Sequence, residues 1–262
     1  MRSASYEIID DLGAGAPWLL MVHGISQNRR VFSNQVSFFR ATYRLLLVDL
    51  PGHGLSSDIP GPYGLDEYAA SIAGAMDDAG VTGAVFWGTH LGAAAGLLLG
   101  CREAARFSAL ILEGPVFPGR SMPAVAQVLA SVGETARIKG LAAARKLWWE
   151  EGGWFDVMRD RPEECRAVSQ IAIIDEFEGA PWLDPGLIGP VTLSEENLRT
   201  LGQPVLIMNG EHDLPDFLKA ANDLSALIPD CRRVSVRDGG GFPFWEFPDR
   251  VNKKVRAFLH SL

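Results

Sequence analysis

The 262-residue chain is 47% hydrophobic and 21% charged, which is enough apolar side chain to bury a sizeable core and places it among soluble globular proteins. Its formal net charge of −8, with Lys and Arg scattered apart from pairs such as Arg29-Arg30 and Lys253-Lys254, argues against a nucleic-acid partner, which would require a basic stripe. The first seven residues lack the apolar core of a signal peptide, and no uncharged run reaches about 18 residues, so neither a membrane span nor membrane partner is expected and the location expected is cytoplasmic.

In chain order, residues 6–9 suit a first strand and 17–22 form a continuous apolar run, as in a strand buried on both faces of a parallel sheet. That run ends in His23-Gly24-Ile25-Ser26, and a helical pattern covers 30–40. A second buried strand at 44–50 leads into the Gly/Pro loop Pro51-Gly52-His53-Gly54-Leu55-Ser56, and a helix over 65–79 stops at Gly80. The stretch Ala84-Val85-Phe86-Trp87-Gly88-Thr89-His90-Leu91-Gly92-Ala93-Ala94-Ala95 follows. An apolar run stops at Gly88 and a small-residue helix starts past Gly92, the strand–turn–helix grammar of a nucleophile elbow, Gly-x-Ser-x-Gly, with His90 in place of the serine.

Another strand at 108–112 ends at Glu113-Gly114-Pro115. From 120 to about 202 the periodicity is helical, near 125–132, 136–150 and 162–177, and the segment holds Trp148, Trp149, Trp154, Phe155 and Trp182. Strands resume at 204–209 and 233–236, with a last helix at 248–259. Alternating strands and helices imply α/β architecture: a mostly parallel central sheet flanked by helices, whose ligands bind beyond the carboxyl ends of the strands. Five loops follow strand ends (24–26, 88–92, 113–115, 210–213 and 239–242) and can meet at one cleft, roofed by the helical segment. Cys101, Cys165 and Cys231, odd in number and without metal-type spacing, read as free thiols of a reducing compartment.

In this order, His23-Gly24, Asp49-Leu50-Pro51-Gly52-His53-Gly54-Leu55-Ser56, the elbow, Asn209-Gly210-Glu211-His212-Asp213 and Gly239-Gly240-Gly241-Phe242-Pro243-Phe244-Trp245-Glu246-Phe247-Pro248 resemble the α/β-hydrolase-fold family over nearly the whole chain. The resemblance implies a core domain at 1–119 and 200–262 with a helical cap at 120–199. It places the family's nucleophile at His90, its acid at Asp213, and its base, counted back from Pro248, Glu246 and Pro243, at Gly241. It also implies oxyanion-hole N–H groups at Ile25 and Leu91. The serine and its base are then both absent, which excludes an ordinary Ser-His-Asp esterase.

Two functions remain open. In one, the imidazole of His90 leans into the space left at Gly241 and hydrogen-bonds Asp213, giving a general-base dyad with the backbone oxyanion hole, similar to the His-Asp pair of cofactor-independent oxygenases and lyases of this fold. A placed general base contributes ~10²–10⁴-fold and the oxyanion donors alone leave ~10³–10⁴-fold over water. The substrate would be an apolar or aromatic carbonyl compound, with hydrolysis, lyase or isomerase chemistry and cofactor-free oxygenation all open; His90 as an acyl-accepting nucleophile is a third variant. The other function is a pseudoenzyme that keeps the pocket to bind a small-molecule ligand. Neither reading calls for a cofactor or a metal, and both allow a monomer or a homodimer.

Ser26, Trp148, Trp149, Trp154 and Phe242 are the candidate pocket residues, with Asn28 a further polar contact at its mouth. Phe242 and Phe244 flank the vacated base position and compete with His90 for it. Glu113 is a backup partner for His90, with a surface or cap salt bridge as its alternative role. His212 is a candidate replacement base, while His23 and His53 are expected to support loops.

Overall fold

The computed structural model describes residues 3–186 and 191–262. Strand β1 (Tyr6–Ile9) is followed by β2 (Trp18–Val22), helix α1 (Ser33–Phe39), β3 (Arg44–Val48), α2 (Leu65–Asp78), β4 (Ala84–Thr89), α3 (Leu91–Arg102) and β5 (Phe107–Glu113). Six helices come next: α4 (Pro123–Lys139), α5 (Leu141–Glu151), α6 (Asp156–Asp160), α7 (Ala167–Asp175), α8 (Ala180–Leu183) and α9 (Glu195–Arg199). The chain then returns through β6 (Val205–Gly210), α10 (Pro215–Leu227), β7 (Cys231–Val236), α11 (Pro243–Glu246) and α12 (Pro248–Leu259).

The seven strands form one sheet in the order β1-β3-β2-β4-β5-β6-β7. β1 pairs antiparallel with β3, and every other pairing is parallel. The period-2 alternation of the central strands sends their side chains into two cores. Leu19, Met21, Leu45, Leu47, Val85 and Trp87 face one side, where they pack with Phe39 of α1 and Val251 and Val255 of α12. Leu20, Val22, Leu46, Val48 and Phe86 face the other, against Ile72 of α2, Leu97 and Leu98 of α3, and Leu224 of α10. Both faces are covered, which is why the strands read as unbroken apolar runs.

Several contacts tie the helical excursion between β5 and β6 back to the core, two of them at the late loop. Phe155 stacks on Phe242 with ring centroids 5.0 Å apart, and the Trp245 indole donates to the Cys165 carbonyl at 2.8 Å. Among the described residues no helix is long and apolar enough to cross a membrane.

Candidate active site

The elbow forms because both its glycines are needed. A β-carbon at Gly88 would lie 2.5 Å from the Gly92 carbonyl carbon, and one at Gly92 would collide with the Val22 carbonyl. Strand β4, helix α3 and the end of β2 therefore approach more closely than any larger residue permits. The residue between them, His90, is held at φ 48 and ψ −107, a conformation that costs an L-residue energy and persists because its surroundings fix it. Its backbone N–H donates to the Glu113 carbonyl at 2.8 Å, joining the tip to the end of β5.

The His90 ring lies edge-on to Phe217, at 4.8 Å between centroids, and 4.7 Å from Phe242. Among the described residues neither ring nitrogen has a hydrogen-bond partner. Burial without a compensating charge pushes the imidazole down to about 3, so it is neutral at pH 7.

The expected His90–Asp213 hydrogen bond is not formed. Asp213 is bonded elsewhere: Asn209 Nδ2 donates to one carboxylate oxygen at 2.8 Å and the Leu214 N–H to the other at 2.8 Å. Nor is there an imidazole-sized space at Gly241. A β-carbon there would sit 2.9 Å from the carbonyl oxygen and 3.1 Å from the α-carbon of Trp154, whose backbone fills the place. Neither flanking phenylalanine takes that place, contrary to the competing expectation: Phe242 packs against His90 at 4.7 Å and Phe244 turns away to Phe32 at 5.2 Å.

Among the described residues Glu113 makes no surface or cap salt bridge, and it is not paired with His90. It is fully buried, accepts the Phe244 N–H at 2.9 Å, and is driven well above the usual carboxylate range by desolvation. Glu246 accepts the N–H groups of Gly240 at 2.6 Å and Phe242 at 3.4 Å, fixing the loop after β7, and burial raises it to about 8. Desolvation likewise raises Asp213 to about 7. His212 is exposed beside Glu211 and Asp238, on the opposite side of the loop from buried Asp213.

His23 and His53 hold loops. The Leu50 N–H donates to His23 Nε2 at 3.1 Å, which leaves Nδ1–H to donate to the Gly24 carbonyl at 2.6 Å. His53 Nδ1 lies 2.9 Å from the Pro51 carbonyl oxygen, and its ring stacks on Phe177 at 4.8 Å.

In front of His90 lies a cavity of about 270 Å³ whose walls are almost wholly apolar. Trp148, Trp154 and Phe242 line it, together with Ile25 and Leu91. The backbone N–H groups of Ile25 and Leu91 donate to no protein acceptor among the described residues, and Leu91 opens α3, where such donors have no intrahelical partner.

Three expected pocket residues lie elsewhere. Trp149 packs on Phe155 at 4.9 Å beside a shallow outer cavity, because successive helical residues point about 100° apart and Trp148 takes the inner direction. Ser26, where the chain passes through φ 61, buries its hydroxyl off the cavity wall. Asn28 accepts the Arg30 N–H at 3.0 Å and donates to Glu176, so its side chain is already committed.

The model of the Alpha/beta hydrolase family matches residues 19–254. The chain belongs to that family. A pimeloyl-[acyl-carrier protein] methyl ester esterase of Stenotrophomonas maltophilia (strain K279a) is 30% identical over 262 residues, covering 97% of this chain and 96% of the relative. The enol-lactonase of Burkholderia xenovorans LB400 superposes with a TM-score of 0.82 at 23% identity, over 98% of this chain and 96% of that one. An esterase from Rhodococcus sp. ECU1013 does so with a TM-score of 0.81 at 26% identity, over 98% and 94%.

Among the residues of this site that escape the sequence reading are Phe217 and Gly114. Phe217 lies in the first turn of α10, with its ring edge-on to that of His90. Gly114, at φ 53, gives the imidazole its room: a β-carbon there would meet His90 Nε2 at 2.7 Å. The signal for Gly114 was the Glu113-Gly114-Pro115 turn at the end of a buried strand.

Proposed function

We propose that this α/β-hydrolase-fold protein binds a small apolar carbonyl compound in the cavity before His90 and does not cleave esters through a serine triad. One observation carries the reading: the elbow tip is a buried, neutral imidazole with no partner on either nitrogen among the described residues. A base held at about 3 takes up a proton poorly at pH 7, since general-base catalysis works best when the pKa lies near the working pH. Asp213 is engaged by Asn209 and Leu214 and makes no hydrogen bond to His90 that would stabilise an imidazolium. The carbonyl class is supported by the Ile25 and Leu91 N–H groups at the cavity wall, and by relatives named for esters and lactones. Residues 120–199 would act as the cap that closes the cavity.

A second reading rests on the same pair of N–H groups. Because they depend on no side chain, they can stabilise an oxyanion without serine, and His90 could then activate water for slow turnover, as an unassisted base.

One experiment separates the two. Hydrolysis of p-nitrophenyl butyrate is measured for the wild type, His90→Ala and Asp213→Ala, alongside the melting temperature with an apolar methyl ketone present. The binding reading expects equal rates in all three proteins and a raised melting temperature with the ketone unconsumed. A wild-type rate about 100-fold above that of His90→Ala would overturn it in favour of turnover.

A further inference from the structure

The cavity before His90 is one of two that adjoin. A second, of about 380 Å³, shares Ile25, Leu91 and Leu129 with it and extends beneath α4 and α8 toward solvent. The two differ in chemistry. The inner chamber offers a ligand almost only carbon, whereas the outer one is bordered by the guanidinium of Arg137.

Arg137 is aimed at this chamber. Its Nη1 donates to the Trp182 carbonyl at 3.3 Å, and the guanidinium lies over Gly133, where a β-carbon would stand 3.3 Å from Nη1. Gly133 and Trp182 both line the outer chamber, so the group is held along its wall by one carbonyl, its remaining N–H donors having no acceptor among the described residues. Arg137 forms no ion pair with a carboxylate among the described residues, in a chain whose other arginines often do, as in Arg102–Asp66 and Arg120–Glu195. The acidic group at this end, Asp184 near Tyr63, accepts the Gly186 N–H and is not paired with Arg137.

We infer that the ligand is an amphipathic carboxylate: an apolar body seated in the inner chamber, with its anionic end in the outer chamber against Arg137. A planar guanidinium with free N–H groups matches a carboxylate in a two-pronged hydrogen bond. This rests on the cavity reading proposed above and adds to it the ligand's charge and direction.

Isothermal titration with decanoate and decanamide, which share a chain and differ in charge, tests it on wild type and Arg137→Gln. Arg137 is exposed, so the variant keeps the fold. Decanoate is expected to bind the wild type about tenfold more tightly than decanamide. In Arg137→Gln that preference disappears, because decanoate loses more affinity than decanamide does. Equal affinities in the wild type, or a preference that survives in Arg137→Gln, overturn the Arg137 subsite and leave the cavity reading standing. Binding of neither probe overturns both.

Discussion

His90 Nε2 faces Gly114 so closely that a β-carbon on Gly114 would lie 2.7 Å from it. The elbow imidazole is thus accommodated by a bare backbone at the end of the neighbouring strand, rather than by the aspartate two strands along the sheet. Replacing Gly114 with Ala forces a clash and strains a residue at φ 53. The expected cost is roughly 1–3 kcal/mol in denaturant unfolding. Only the steric part should vanish in the His90→Ala background, so the double-mutant cycle is expected to show a coupling of about 1 kcal/mol. Strict additivity would mean that the ring does not rest on Gly114.

On the reading proposed above, a serine at the elbow tip should not by itself confer ester hydrolysis. His90→Ser places a hydroxyl at the tip, but the late loop offers it no base, since Gly241 is backed by the Trp154 backbone. Hydrolysis of p-nitrophenyl esters by His90→Ser is expected to stay within about threefold of the wild type, against the ~10⁴-fold or more that a complete triad supplies. A large gain in kcat would reveal a base at the site that the present geometry does not provide.

The buried acids give the protein an unusual pH response. Asp213, raised to about 7, keeps its proton in the folded state where the unfolded chain, near 3.8, has released it. The unfolded state therefore binds fewer protons, and this group withdraws stability as pH climbs from about 4 to about 7. Glu246 acts in the same direction up to about 8. His23, lowered to about 4, and His53 and His90, lowered to about 3, work in reverse and withdraw stability as pH falls from 6.5. In Asp213→Asn both hydrogen bonds can be kept, because the unpartnered Asn209 Oδ1 can turn to accept the new amide. The variant is expected to be more stable than the wild type by on the order of 1–3 kcal/mol at pH 8 and indistinguishable from it near pH 4. Chemical denaturation across that range measures both.

Filling the inner cavity should abolish binding without unfolding the protein. Ala94 borders that space, and Ala94→Leu projects three further carbons toward it. Affinity for decanamide is expected to fall at least tenfold, with the melting temperature within a few degrees of the wild type. Unchanged affinity would place the ligand elsewhere.

The strands of this fold are legible because a parallel sheet covered on both faces leaves continuous apolar runs, and the elbow is legible because only glycine fits at 88 and 92. What the residue order does not encode is the direction of a ring. That Asp213 and His90 belong to converging loops follows from their places after β6 and β4; that Asn209, four residues earlier, satisfies the carboxylate first is a matter of side-chain geometry. The filling of the Gly241 position was hidden for a related reason. Trp154 comes from the helical excursion, and nothing local to either stretch says that its backbone meets the late loop. Trp148 and Trp149 show the same limit on a smaller scale, since adjacent aromatics on one helix announce a cluster but not which of them turns inward.

Leu110 of β5 pairs with Val205 of β6 across the whole helical excursion, so the sheet is stitched from an amino-terminal group of five strands and a late pair. Joining them requires closing a very long stretch of chain before any ladder bond between them repays the entropy. Refolding should therefore show early assembly of β1 to β5 and a slower docking of β6 and β7, the step that brings Asp213 and the glycine-rich loop up to the elbow. The pocket would be the last part of the molecule to come into being, and a ribosome-bound chain ending before β6 would display the elbow with nothing yet facing it.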